Sequence, residues 1–441
     1  MRDLLFIVIF PLLVYASFKR PFIGAAMWLW VAMHFPNGWV YGFAGSFRYN
    51  LLIVIFAFLS YIFWKDKGKV SLDKTSFLIG LFLFWTMITS IFTISIPEFV
   101  WAEWIEFLKI TLLYFFCIAV LRKKLHIDVM IWALIFSIGF YGCLEGLKYI
   151  SSGGGHRIHG LAGHVLGDRN ELALSFNMLL PLMLYMANVT EKRFIRLGLY
   201  MAVVICVVAI IGTYSRGGVV ALIIVAGYFW LQSSRKLLYA CLFALVVGVG
   251  SAYIPSEWSS RMDTIEQATE DNSFLGRILA WKTAVLIAND NLITGAGFKG
   301  GQLSTVWHHY EGYRHFNDIV DTSHMSETGF KAAHSIYFQV LGDHGYIGLL
   351  IFLSILLVGY LKATRLSRYL KKNGKDPKLI NLCDMIRVSI VAYCAGGGAV
   401  SLAYFDMLYA LFAIIYAIEH HVVKVPTKEE VVRKRRENRF A

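Results

Sequence analysis

Charge is scarce in this chain. Only 16% of its 441 residues are Asp, Glu, Lys or Arg, against about 25% in soluble domains. Apolar residues make up 57% and the mean hydropathy is +0.59. Together these exclude a soluble globular enzyme and a disordered chain. Cysteine is also sparse: Cys117, Cys143, Cys206, Cys241, Cys383 and Cys394, none in CxxC spacing and none within 255–333. That excludes a disulfide framework and a thiolate metal site, and leaves small apolar residues on helices. Short alternating segments are absent, which excludes a membrane barrel. Walker A and Rossmann patterns are missing too, so nothing points to nucleotide chemistry.

Long apolar runs are what the chain does contain. They occupy 4–18, 22–34, 51–64, 77–92, 104–121, 129–150, 171–187, 197–212, 218–232, 237–254, 336–361 and 386–418. Most approach the length of a bilayer crossing, so the spacing predicts an all-α polytopic helical membrane protein. About twelve crossings are expected, with eleven to thirteen compatible, because the first two runs are short and the last is broken by Gly396-Gly397-Gly398. The start, Met1-Arg2-Asp3 followed by an apolar run, lacks a positive n-region and reads as a retained span.

The 42 Lys and Arg are unevenly placed: 28 of them lie in seven alternate connections, from Lys19-Arg20 to the tail Lys424 to Arg439. By the positive-inside rule these face the cytoplasm, which accounts for the basic tail without nucleic acid. The remaining connections face outward. The largest, 255–333, holds 6 Lys/Arg and 10 Asp/Glu. A connection that long is expected to be structured, and Leu275 to Ile287 is amphipathic at helical spacing. The expected organisation is transmembrane helices over 1–254, a large periplasmic loop over 255–333, C-terminal helices over 334–420 and a basic cytoplasmic tail over 421–441.

Three outward clusters carry polar groups that are expensive near a membrane. The first joins Gly153-Gly154-Gly155-His156-Arg157-Ile158-His159 to Gly167-Asp168-Arg169-Asn170-Glu171. Glycines allow close backbone approach and the two arginines suit phosphate oxygens, although Asp168 or Asn170 capping the next helix is a purely structural alternative. The second is Tyr214-Ser215-Arg216-Gly217-Gly218, an arginine at a tight turn between apolar helices. It can snorkel to headgroups, yet the positive-inside bias disfavours it there, and a helix start beside it offers N–H groups to an anion. In the third, Ala333-His334-Ser335-Ile336-Tyr337-Phe338, the histidine falls at the polar–apolar boundary. A neutral imidazole there suits proton acceptance from a hydroxyl, or serves as a hydrogen-bonded boundary residue. His308, His309, His315 and His324 recur in the long loop, but HExxH and DxD are absent, so no metal site is expected. Aromatics near Trp28-Trp30-Trp39-Tyr41 and Trp101-Trp104 read as an interfacial belt, and Glu98, Glu103 and Glu106 as a solvated rim.

At these clusters the sequence resembles the bacterial O-antigen ligase and polymerase membrane proteins. The resemblance rests on Ser215-Arg216-Gly217, Gly276-Arg277 with Trp281, Gly295-x-Gly297, and His334-Ser335 followed by Gly342, His344-Gly345 and Gly348. Met1-Arg2-Asp3, Arg20-Pro21-Phe22 and Ala333 to Phe338 look like the subgroup of exosortase-associated O-glycosylation ligases. What the resemblance implies is a GT-C-like helical bundle with a large periplasmic loop in the bacterial inner membrane. It implies transfer of a glycan from undecaprenyl diphosphate to a sugar hydroxyl of lipid A–core. Outward arginines and a histidine carry over to Arg216, Arg277 and His334; Arg157 and Arg169 rest on the residue argument alone.

Both lines give one expected scheme. Arg216, Arg277, Arg157 and Arg169 bind the diphosphate and stabilise charge on the leaving phosphate. His334 orients or deprotonates the acceptor hydroxyl, in one inverting displacement without metal or other cofactor. A polymerase, a protein O-oligosaccharyltransferase and an anionic-solute transporter remain alternatives.

Overall fold

The computed structural model describes residues 2–232, 236, 272–325 and 329–425. Its regular elements are helices, and no strand occurs among the described residues. Before the polar stretch come α1 (Arg2–Lys19), α2 (Pro21–His34), α3 (Tyr49–Phe63), α4 (Lys74–Ile91), α5 (Pro97–Val120), α6 (Lys124–Ser151), α7 (Arg169–Val189), α8 (Arg193–Gly212) and α9 (Arg216–Gln232). Within it lie α10 (Asn272–Asp290) and α11 (Ser304–Tyr310); α12 (Ile336–Lys372), α13 (Pro377–Gly397) and α14 (Asp406–Ala417) follow. The apolar run 237–254, the polar stretch up to 271 and the tail from 426 lie outside the described residues. The chain is an all-α polytopic membrane protein. Six described helices are long and apolar enough to cross a bilayer: α4, α6, α7, α8, α12 and α13. Helix length and hydropathy alone thus account for six of the twelve expected crossings.

The helices start where short side chains can serve their free N–H groups. Asp73, Asp168 and Asp376 accept from Ser76 N (2.8 Å), Asn170 N (2.8 Å) and Lys378 N (2.9 Å) at the starts of α4, α7 and α13. Proline opens α2, α5 and α13, where its missing N–H costs nothing. At the centre is α7, buried along most of its length, whereas α8 leaves most of its apolar surface exposed. It packs on α8, α9 and α13. Midway along α6, Ile135–Gly139 widens into a π-helical turn, and the Phe136 carbonyl accepts from Trp30 Nε1 at 3.2 Å.

α12 is broken at Gly345, whose φ of 67° and ψ of −170° suit glycine alone. The break frees carbonyls, and the Gly295–Gly297 loop fills the gap. Ala296 N donates to Gly342 O and Gly297 N to Asp343 O, each at 2.9 Å, while Tyr346 N reaches Leu292 O at 3.0 Å. A Cβ on Gly295 would fall 2.7 Å from Gly342 O, so close backbone approach requires the glycine. These bonds tie α10 and its following loop to the bundle.

The amphipathic stretch is α10, with two small cores of its own: Leu275 and Leu279 against Trp307 and Met325, and Ile287 against Val306 and Tyr310. Lys282, expected on the apolar stripe, is buried as a clamp. Its Nζ donates to Val320 O (2.6 Å), Asn317 Oδ1 (2.9 Å) and Thr322 Oγ1 (2.9 Å). The single broken run expected at 386–418 is two helices, α13 and α14, with 398–405 turning between them.

Candidate functional site

Three helix starts meet at one end of the bundle. At α7, Asp168 accepts from Asn170, and Asn170 Oδ1 accepts from Ser215 Oγ at 2.7 Å. Ser215 Oγ in turn accepts from Gly218 N at 3.1 Å, so the α7 and α9 starts are locked together. Their approach is close: a Cβ on Gly218 would lie 2.6 Å from the Ala173 Cβ. The glycine-rich loop lies over this junction, with Tyr214 OH donating to Gly154 O (3.0 Å) and Ile158 N to Gly212 O (3.0 Å).

The 398–405 turn brings in the third start. Gly217 faces Ala399, where a Cβ would come within 2.9 Å of the alanine methyl. Two residues on, Ser401 Oγ accepts from His334 N at 2.7 Å. His334 has a φ of 43°, so the chain bends sharply before α12 begins at Ile336. Trp281 of α10 fixes the other side, donating to Ala333 O at 2.6 Å and stacking on Phe338 with ring centres 4.9 Å apart.

His334 is half-buried, and its Nδ1 is buried with no hydrogen-bond partner among the described residues. Burial holds its pKa below the ordinary histidine value; the charges of Arg277 and Lys331 act the same way, and Asp168 opposes them. A neutral imidazole with proton-accepting capacity results at neutral pH. His159, on the covering loop, is likewise lowered by burial and then by Arg157 and Arg169, again with Asp168 opposing.

The expected site residues therefore separate in a defined way. Arg216 opens α9 beside the 398–405 turn, and Arg277 of α10 is near enough for its charge to act on His334. Arg169 is the first residue of α7 and Arg157 is exposed on the covering loop; the charges of both act on His159. Asp168 is the common neighbour of His159 and His334, beyond the capping role read from sequence. His156 turns away: its Nε2 meets buried Glu145 at 2.7 Å, which Lys148 also contacts at 2.6 Å. Ser401 and Glu145 were not legible as parts of this arrangement. The only signal for the first was the glycine triplet at 396–398 that forces the turn. Glu103, read as a rim residue, is paired with Lys299 Nζ at 2.8 Å.

Residues 201–353 match the O-antigen ligase family model. Over this segment the chain is similar to the O-antigen ligase family. The matched segment contains Arg216, Arg277 and His334, and the similarity supports a ligase- or polymerase-type glycosyltransferase role. A second model, for a family of unknown function, matches residues 1–190, where Arg157 and Arg169 lie. No curated protein matches the chain significantly.

Proposed function

We propose that this chain transfers a glycan from undecaprenyl diphosphate to a sugar hydroxyl of lipid A–core at the periplasmic face of the bacterial inner membrane. The observation that carries this reading is the placement of His334, tied through Ser401 to the same turn that seats the Arg216 start, with its buried Nδ1 lacking a hydrogen-bond partner among the described residues. In this reading 255–333 is the periplasmic loop, 334–420 the C-terminal helices and 421–441 the cytoplasmic tail.

The step balances simply. The acceptor oxygen attacks the anomeric carbon and passes its proton to His334. The bond from that carbon to the phosphate oxygen breaks, and the diphosphate leaves with the electron pair. Configuration inverts. Arg216 and Arg277 meet the charge that grows on the leaving group, and Arg169 and Arg157 add positive charge near His159. Guanidinium forks match phosphate oxygens and stay charged, so their gain is largest in the transition state. Three helix N-termini at the same end add N–H dipoles of the right sign.

The test is reconstitution of purified protein in nanodiscs with lipid-diphosphate-linked glycan and lipid A–core. Ligated product, made in the presence of EDTA, is expected. Supplying a protein or a growing polymer instead identifies the acceptor. No product with any acceptor, together with solute movement across a sealed vesicle, would overturn the enzyme reading.

A further inference from the structure

The turn after α10 belongs to the long polar segment, yet it carries two bare apolar side chains. Leu292 and Ile293 are 59% and 56% exposed. Their carbonyls lie against Gly345, where a Cβ would come within 2.7 Å of each, and Leu292 O accepts from Tyr346 N at 3.0 Å. The pair therefore sits at the head of an exposed apolar stripe on the rod of α12. Ile347, Leu350, Leu353 and Leu357 make up that stripe, at intervals of three or four residues. It is the lipid-facing side of a helix long and apolar enough to cross a bilayer.

Two helices fix the depth of this point. Lys362 and Asp73 pair where α12 and α4 meet at one end, and His344 Nδ1 lies 2.7 Å from Thr89 Oγ1 at the other. At 1.5 Å of rise per residue, Lys362 to Gly345 spans about 26 Å and Asp73 to Thr89 about 24 Å. Charge is costly in hydrocarbon, which sets the Lys362 cluster at one boundary. The hydrocarbon core is about 30 Å thick, so Gly345 falls just inside the other boundary. Exposed apolar side chains continue past this level at Ile91, Phe92, Ile94 and Ile96. Tyr346 and Trp85, whose Nε1 donates to His344 O at 3.2 Å, are the aromatic types that favour an interface.

Irregular backbone is tolerated at that depth only where protein satisfies it. This turn meets the condition. Asn291 N donates to Ile287 O and Gly295 N to Asn291 O, each at 2.9 Å, while Ala296 and Gly297 donate into the α12 break. The Asn291 amide donates to Tyr310 OH (2.9 Å) and Ile287 O (3.2 Å), and Asn289 Oδ1 accepts from Tyr346 OH at 2.8 Å.

We propose that the turn 291–294 is inserted into the leaflet on this side of the membrane, with Leu292 and Ile293 against phospholipid acyl chains. Asn289 and Asp290, exposed just before it, stay among the headgroups. The C-terminal end of α10, the helix that carries Arg277, is thereby anchored in the bilayer. The proposal is independent of the glycan-transfer reading and needs only that α12 spans the membrane.

The test places a fluorescent amino acid at position 292 or 293 of the full chain in phospholipid nanodiscs, with a label at the exposed position 350 as the lipid-facing reference. Acyl-brominated phosphatidylcholine probes contact with hydrocarbon, and aqueous iodide probes contact with water. A loss of fluorescence to brominated lipid comparable to that at position 350, with little loss to iodide, is expected at both sites. If one labelled form fails to fold, the other carries the test. A larger loss to iodide than to brominated lipid overturns the proposal. Protection from both quenchers overturns it too, since the pair is then covered by protein, as in contact with a second copy of this chain.

Discussion

The two ends of α12 carry polar clusters of opposite character. Toward its C-terminus, Lys362 bridges Asp73, the cap of α4, and Glu419 at 2.8 Å, in the π-helical turn after α14. Nearby, Arg122 donates to Gly68 O (2.9 Å) and Lys69 O (3.3 Å) and reaches His421 at 3.1 Å. Asp73, Glu419 and His420 lie close enough for a metal, but the Lys362 ammonium already bridges the carboxylates. Here cation and anion saturate one another, and the cluster staples α4, α12 and the chain after α14. At the other end the His334 backbone N–H is held by Ser401, while its buried Nδ1 has no hydrogen-bond partner among the described residues. In a satisfied charge cluster, loss of one partner leaves the others uncompensated and weakens the fold; a fixed group with capacity left over can do chemistry.

Four measurements sharpen or break this contrast. The largest effect is expected for His334→Ala: transfer falls about 10²–10⁴-fold, the usual worth of a general base, while the thermal midpoint in nanodiscs barely moves. Normal turnover would remove the imidazole from the reaction. Arg216→Ala follows, with a loss of about 10²–10³ in kcat, as for other preorganised charge stabilisers. An unchanged rate would confine that arginine to anchoring the turn.

Lys362→Met should behave inversely. Leaving Asp73 and Glu419 without their cation is expected to cost about 1.5–3 kcal/mol, read as lowered thermal stability with transfer per folded molecule preserved. A variant that is stable but inactive would erase the distinction between the two ends. The smallest effect is a pH shift. Asp168 holds the His334 pKa up against burial, Arg277 and Lys331. Asp168→Asn keeps a competent helix cap but removes that negative charge, so the imidazole stays neutral to lower pH. The acid limb of the kcat/KM profile should move down; movement upward would show that another group titrates.

Much of the fold was legible because membrane helices are written in composition. Apolar length and flanking charge predict α4, α6, α7 and α8 closely. The run 386–418 was harder, since hydropathy does not say whether a glycine triplet bends a helix or ends it. At the site, Arg216 and His334 stood out because charge and imidazole are costly near lipid, whereas Arg277 came only from the family resemblance. Ser401 and Asp168 did not, because their relation to His334 exists only through the tertiary turn and the crossing of α7. The same limit applied to Gly295 and Gly345. Both glycines were visible, but the donation of loop N–H groups into a broken helix depends on segments some fifty residues apart.

That broken helix has a mechanical consequence. The short half from Ile336 to His344 is fastened at its far end by the Ala296 and Gly297 amides rather than by continuing into the lipid-embedded rod. Thinning or thickening of the bilayer should therefore tilt the rod beyond Gly345 and leave the imidazole in place, a decoupling that turnover in short- and long-chain lipids would reveal.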